Sequence, residues 1–384
     1  MRIVPYTPDL FPAVAAFARD IGPLCPLAHR SLVDHYYHAG RDFCTLHLAV
    51  ERTDAGERPS PSDNGPAAGR AGDGASAADS APGVRVVGSL GVERVRFEYR
   101  GRALHLAFGS NFFVSTPGVG GLLYRRWTRA GDHTIAVGGS RDSQRIFREQ
   151  GWTYYDGLGL YLLNRSFAAG SATPPLQRAM RWSARQLWRH SAIRTALAIP
   201  RTVRDLVTVR EEPRISEDLL RFGTTGPSPF ALRCAPSIEH LAWRYACDLT
   251  HVQYRIYRLQ VCGDSAGYII INDGPSRIVV AHCDGRDPET LAYGVVLAAL
   301  DTLGATGREV RLTSCHPAMT AIYRRVGFRP HPSPPPLVLG SRRRPGQTGK
   351  GAAATPPLPD DTTADWLINY DWGDNGLRRP SWDE

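Results

Sequence analysis

Six consecutive residues, Thr116-Pro117-Gly118-Val119-Gly120-Gly121, do most to narrow the chemistry open to this chain. An apolar, strand-like run from Leu104 to Val114 leads into them, and a helix-patterned segment follows at once with Leu122, Leu123, Tyr124 and Trp127. A strand, a glycine turn and a helix start, in that order, leave main-chain N–H groups without intrahelical partners. They aim those groups, with the positive end of the helix dipole, into the turn. A phosphate is the natural ligand. The spacing excludes two kinds of nucleotide site: there is no Gly-Lys-Ser/Thr ending of a triphosphate loop, and the glycine run is too short for a dinucleotide fingerprint.

Residues able to move protons lie on the neighbouring strands. Glu93 and Glu98 sit on the strand before the loop strand, and His105 on the loop strand itself. A strand carboxylate turned into a cleft, its pKa raised by burial, suits deprotonation of an ammonium; the competing reading of each is a solvent-facing strand residue. Lys350 is the sole lysine and lies in a Pro/Gly-rich stretch, so Schiff-base chemistry is excluded for want of a desolvating pocket. Seven cysteines, widely spaced and without metal-type pairs, fit reduced buried thiols, and no metal site is expected.

The elements that must position these groups recur. Strand, helices, hairpin, strand, helix, strand, helix, strand is the order from Arg2 to Leu163 and again from Val207 to Tyr370. In the first pass Arg2–Thr7 is a strand, Leu10–Ile21 and Leu27–His38 are helices, and Val84–Tyr99 precedes the loop strand. His133–Gly138 follows the loop helix, and Trp152–Leu163 reads as one strand. In the second pass Val252–Cys262 and Ala266–Asn272 form a hairpin. Arg277–Asp284, a helix at Glu289–Leu303, Glu309–Ser314, a helix at Pro317–Val326 and a last strand, Asp365–Tyr370, complete it.

Residues 52–83 hold no large apolar side chain and read as a disordered insertion; residues 330–361 read as a Pro/Arg-rich loop. The predicted organisation is a domain at 1–165, a basic amphipathic connector at 166–206 and a domain at 207–384. The connector's Arg178, Arg181, Arg185 and Arg189 share one side of a helix over 174–204. Such a helix serves as a domain connector or lies on an anionic membrane surface.

Two short patterns resemble the GNAT (GCN5-related N-acetyltransferase) superfamily, whose pyrophosphate loop, Arg/Gln-x-x-Gly-x-Gly/Ala, follows the fourth strand. The next helix of that family ends in a Tyr-x-x-x-Gly-Phe-like pattern. Here the first half reads Ser115-Thr116-Pro117-Gly118-Val119-Gly120 and Phe147-Arg148-Glu149-Gln150-Gly151-Trp152, matching the glycines but lacking the Arg/Gln and the Tyr. The second half reads Tyr323-Arg324-Arg325-Val326-Gly327-Phe328, with tyrosine and Gly-Phe in place.

The resemblance, to a tandem GNAT-like protein of bacterial type, implies an α/β fold of two domains. Each is a mixed, largely antiparallel twisted sheet with helices on both faces. It implies acetyl-CoA or another acyl-CoA as co-substrate, lying between the fourth and fifth strands with its pyrophosphate on Gly118, Val119, Gly120 and Gly121. Phe113 and Val114 complete the cofactor-binding set. It implies transfer to an amine by a base such as Glu93 or His105 and a proton donor such as Tyr323, and suggests an amino sugar or cell-envelope precursor as acceptor.

The loop of the second half, Asp284-Gly285-Arg286-Asp287-Pro288, carries two carboxylates that would repel phosphate. The first half is therefore expected to bind acyl-CoA, with the second a degenerate copy that helps form the acceptor pocket. His282 and Asp284 are the equivalent groups if the second half is the active one. The alternative is a catalytically degenerate binding or scaffold module, held at the membrane by the basic helix.

Net charge is +9. It attracts anionic partners, but no nucleic-acid-binding signature accompanies it. The lack of an 18-residue apolar run and of an export signal at the N-terminus predicts a cytoplasmic protein.

Overall fold

The computed structural model describes residues 1–23, 25–52, 83–163, 195, 199–222, 228–249, 252–304, 306–341 and 363–369. The expected disordered insertion, nearly all of the basic helix over 174–204, Lys350 and Tyr370 lie outside the described residues.

Contacts group the chain into two units, residues 1–92 with 110–127 and residues 93–109 with 128–384. Strands β3 (Val84–Tyr99) and β4 (Arg102–Val114) run through both. In the first unit β1 (Arg2–Pro5) pairs antiparallel with β2 (Cys44–Arg52), Arg2 opposite Val50. Helix α1 (Phe11–Ile21) buries Ala13, Val14, Phe17 and Ala18 at helical spacing. Helix α2 (Arg30–Val33) passes into a π-helical turn, Asp34–Ala39, whose Tyr36 and Tyr37 are buried. The Tyr37 hydroxyl accepts from Asn111 Nδ2 at 2.6 Å, where β4 takes a left-handed kink (φ +48°). Gly91 leaves room for that tyrosine: a Cβ there would stand 2.8 Å from its hydroxyl oxygen. Helix α3 (Val119–Trp127) buries Val119, Leu123 and Trp127.

In the second unit β4 pairs parallel with β5 (His133–Val137) over Leu106–Phe108. Helix α4 (Arg141–Glu149) follows, with Ser140 accepting from Ser143 N at its cap. The segment expected as one strand, Trp152–Leu163, is two: β6 (Thr153–Tyr155) and β7 (Gly159–Leu163), parted at Gly157 with φ +96°. The strands belong to different sheets, so a single alternating pattern hides a crossover.

Helix α5 (Arg201–Leu206), β8 (Val207–Glu212), helix α6 (Glu217–Leu220), β9 (Leu232–Cys234) and helix α7 (Ile238–Arg244) lead to a hairpin, β10 (Tyr254–Val261) and β11 (Asp264–Asp273). After it come β12 (Arg277–Gly285), helix α8 (Pro288–Leu303), β13 (Glu309–Ser314), helix α9 (Pro317–Val326) and β14 (Arg329–Pro330). The second sheet has the order β14-β7-β13-β12-β11-β10-β8. Its one parallel pair sets Arg277–Val279 of β12 against Glu309–Arg311 of β13, bridged by α8, which is buried along most of its length.

Within the expected loop 330–361, Leu337–Ser341 forms β15. It pairs antiparallel with both β5 and β6, closing the first sheet. Flanking prolines and arginines hid a five-residue strand with only three large apolar residues, Leu337–Leu339, which its partners β5 and β6 stabilise. The first half thus sends β7 into the second sheet, and the second half returns β15 to the first. Residues 365–369, expected as the start of a strand, instead follow a 3-10 turn (Thr363–Asp365) and make one bridge, Trp366 to Leu232.

No helix among the described residues is long and apolar enough to cross a membrane.

Candidate functional site

Helix α3 starts at Val119 behind Gly118, whose φ of +83° suits glycine and whose missing Cβ faces open space. The space at Gly121 is equally open, while a Cβ at Gly120 would only touch Val114 and Phe112 at ordinary contact distance. The first turn of α3 holds no acidic residue. Val119 N–H turns back to Thr116 O at 3.4 Å, and the N–H groups of Gly120 and Gly121 lie in the first turn, ahead of the first intrahelical acceptor. Phe113 is half-buried; Val114 and Leu122, on either side of the turn, are exposed.

The equivalent helix start in the second half is filled by its own chain. Asp287 Oδ1 accepts the N–H groups of Glu289 and Thr290 at 3.0 and 3.2 Å, capping α8 with a carboxylate where a phosphate would otherwise sit. Beyond Val279 the parallel pairing of β12 with β13 stops, and residues 366–369 bond to both strands there. Asn369 Oδ1 accepts from Cys283 N at 3.0 Å, Thr313 donates to Ile368 O at 3.0 Å, and Cys315 Sγ lies 3.1 Å from Trp366 O. Leu367 N completes the stitching on Leu232 O at 2.8 Å.

A charged cluster is buried in the second unit. Ser237 caps α7 through His240 N, and the i,i+4 spacing then puts His240 and Arg244 on one face, towards Glu93 of β3. His240 Nε2 lies 2.8 Å from Glu93 Oε1, and Arg244 donates to Glu93 Oε2. Glu93 and Arg244 are 4% and 6% exposed. Burial alone would raise the Glu93 pKa; the charges and hydrogen bonds of Arg244 and His240 outweigh it and hold the carboxyl below its usual range. Behind them His282 is brought down to about 3 by burial and by the positive neighbours Arg244 and His240, so its imidazole is neutral. Its Nε2 meets the Tyr268 hydroxyl at 3.0 Å and its Nδ1 meets Asn369 Nδ2 at 3.1 Å. Next to this group Arg233 bridges Glu98 (2.9 Å) and Asp284 (2.8 Å). Asp284 is nevertheless raised to about 6, because its desolvation exceeds the help it gets from Arg233.

A small cavity, about 20 Å³, borders this cluster. The strands of the first half give it Glu93, Val95 and Phe108; the second half contributes Cys234, His240, Leu241, Arg244, Tyr245 and His282.

Of the proton-moving candidates read from the sequence, Glu93, His105 and Tyr323 occupy separate neighbourhoods, and Glu98 is paired with Arg233. Glu93 and His282 line the cavity. The His105 side chain is 59% exposed beside Asp132, whose Oδ2 accepts its main-chain N–H at 2.9 Å. Tyr323, 1% exposed, packs between Tyr161 and Phe328 in the core under α8, and burial raises its phenol well above 10. His240, Arg244 and Asn369 were not singled out from the sequence. For the first two a signal existed: a serine cap followed by His and Arg one turn apart.

A parallel strand pair linked through a helix, β4 with β5 and β12 with β13, occurs once in each half, as the expected two-domain α/β fold has it. No family model and no curated protein matches the chain. Among solved structures it is similar to a GCN5-related N-acetyltransferase from Kribbella flavida, at 13% identity and a TM-score of 0.49, over 89% of this chain and 72% of that one. A conserved protein from Enterococcus faecalis described as a probable N-acyltransferase gives 6% and 0.48 over the same shares. A tandem GNAT protein from the clavulanic acid biosynthesis pathway gives 12% and 0.44, over 89% of this chain and 99% of that one.

Proposed function

We propose that this protein is an acyl-CoA-dependent N-acyltransferase acting on an amine acceptor, and that the first half alone binds the acyl-CoA. One observation carries the reading: the two equivalent helix starts differ in what fills them. Asp287 answers the amides of α8, whereas α3 opens on Gly118, Gly120 and Gly121, which have no side chain to answer theirs. Amides fixed in a helix start hold anionic oxygens with no protonation step, which suits the diphosphate of acyl-CoA. Phe113 and Val114, at the end of β4, are the proposed apolar contacts.

Glu93, at the edge of the small cavity, is the proposed group that meets the acceptor's ammonium and takes its proton. His105 is the competing base, although its exposure leaves it without a desolvated site. Tyr323, read from the sequence as proton donor, is buried against Tyr161 and Phe328 and takes no step in the proposed transfer. An amino sugar or cell-envelope precursor is the acceptor the resemblance suggests. Seven free cysteines fit a reducing, cytoplasmic setting.

Calorimetric titration of acetyl-CoA into the parent chain and Gly120→Glu tests the loop. Binding by the parent and loss in the variant are expected; equal affinity removes the glycine turn from the mechanism.

A second reading, a non-catalytic binding module, is favoured by one feature: Arg244 and His240 keep Glu93 charged, which makes it a weak base. Thiol release from acetyl-CoA over a panel of amines separates the two readings.

A further inference from the structure

Three described residues other than glycine carry a positive φ. Arg100 and Cys262 each open a two-residue hairpin turn completed by glycine, where that backbone state is expected. Asn111, at φ +48°, lies inside β4, is 2% exposed and has no turn to account for it. An extended residue would continue the strand without the steric cost of the left-handed state, which persists only where the surroundings impose it. The surroundings of Asn111 do impose it. Its carboxamide donates to the Tyr37 hydroxyl at 2.6 Å, Ser89 Oγ donates to Asn111 O at 2.8 Å, and Tyr37 Oη stands 3.3 Å from Ser110 Oγ. Gly91 belongs to the same arrangement, since a Cβ there would collide with Ser110 Oγ as well as with the tyrosine. Tyr37 in turn comes from the π-helical turn Asp34–Ala39, a geometry rare in soluble proteins and frequent at functional sites. Two uncommon backbone states therefore meet at one buried hydrogen bond. Just beyond the kink, Phe112 and Val114 supply the side-chain atoms nearest to a Cβ position at Gly120, at 3.8 and 3.7 Å. The start of α3 thus rests on two side chains whose direction depends on the backbone at Asn111, because a kink in a strand re-aims the residues that follow it.

We propose that Tyr37 is a positioning residue of the acyl-CoA site: its hydroxyl holds Asn111 in the left-handed state, and that state sets Phe112 and Val114 against the helix start at Gly120. The assignment of that helix start to acyl-CoA rests on the transferase reading above. Tyr37 is 2% exposed and acts through the strand, not by touching the ligand. A buried polar cluster that served packing alone would tie Tyr37 to stability and leave ligand affinity unmoved.

Calorimetric titration of acetyl-CoA into the full chain, beside urea melts of the same samples, separates the two roles. Tyr37→Phe keeps the ring and removes only the hydroxyl. It is expected to weaken acetyl-CoA binding by about fivefold or more. Glycine takes the left-handed state without a partner to hold it, so Tyr37→Phe/Asn111→Gly should bind about threefold or more tighter than Tyr37→Phe, although it restores no hydrogen bond. Asn111→Gly should exceed Asn111→Ala by a similar factor, since both lose the carboxamide and they differ chiefly in the backbone state they favour. Unchanged affinity in Tyr37→Phe overturns the proposal, whatever its melt. So does a loss that glycine at position 111 fails to recover, or equal affinity in Asn111→Gly and Asn111→Ala. If Tyr37→Phe fails to fold, the two Asn111 variants decide by themselves. A parent chain that binds no acetyl-CoA overturns the transferase reading and this proposal together, whereas a parent that binds it with no change in the variants overturns this proposal alone.

Discussion

The carboxamide of Asn369 grips the main chain of Cys283 from both sides, Oδ1 accepting its N–H at 3.0 Å and Nδ2 reaching its carbonyl at 3.4 Å. A side-chain amide thereby does for β12 what a neighbouring strand would do. The gap beside β12, where the family resemblance would seat acyl-CoA in the second half, is filled by the chain itself.

One acyl-CoA per chain is the stoichiometry that follows, and a calorimetric value of two would refute it. Asn369→Ala leaves a buried N–H and carbonyl unmet and is expected to cost about 1–3 kcal/mol in a urea melt, with coenzyme A affinity unchanged.

Asp287→Ala removes the acceptor for two amides at the start of α8 and should lower stability by about 0.5–2 kcal/mol. Asp287→Asn, which keeps an acceptor oxygen, should recover most of that loss. Equal melts for both variants would mean that the cap contributes nothing.

Gly121→Asp puts a carboxylate at the start of α3 in open space. Negative charge at a helix start is favourable by roughly 0.3–1 kcal/mol, so the melting temperature should hold or rise. Acyl-CoA affinity should fall at least tenfold by repulsion of the diphosphate. A variant that keeps its affinity would put the ligand elsewhere.

Two buried groups set opposite pH slopes. Folded His282 titrates near 3 against the usual 6.5, so between those values the unfolded chain binds more protons and stability falls as pH drops. Folded Asp284 titrates near 6 against 3.8, so across that window the folded chain binds more protons and stability falls as pH rises. Between pH 4 and 6, His282→Asn should therefore make stability decline more with rising pH than in the parent. Asp284→Asn should make it climb more. Urea midpoints measured across that window check both signs, and parallel profiles for the two variants would contradict them.

The sequence by itself determined what is local. A run of glycines between an apolar strand and a helix start has no side chain with which to cap its amides, and a lone lysine in a Pro/Gly-rich stretch argues against an imine mechanism. The order of periods, repeated twice, was enough for two mixed sheets. What the tertiary structure alone decided is which distant segments meet. Glu93 finds His240 and Arg244 at separations of 147 and 151 residues. Trp152–Leu163 divides between two sheets, and Leu337–Ser341 becomes a strand inside an apparent loop. Periodicity records which face of an element is apolar, and it says nothing about which other element will cover that face. The partner is chosen by packing and by the need of every buried charge and amide for a counterpart, a condition met only once the whole chain has closed.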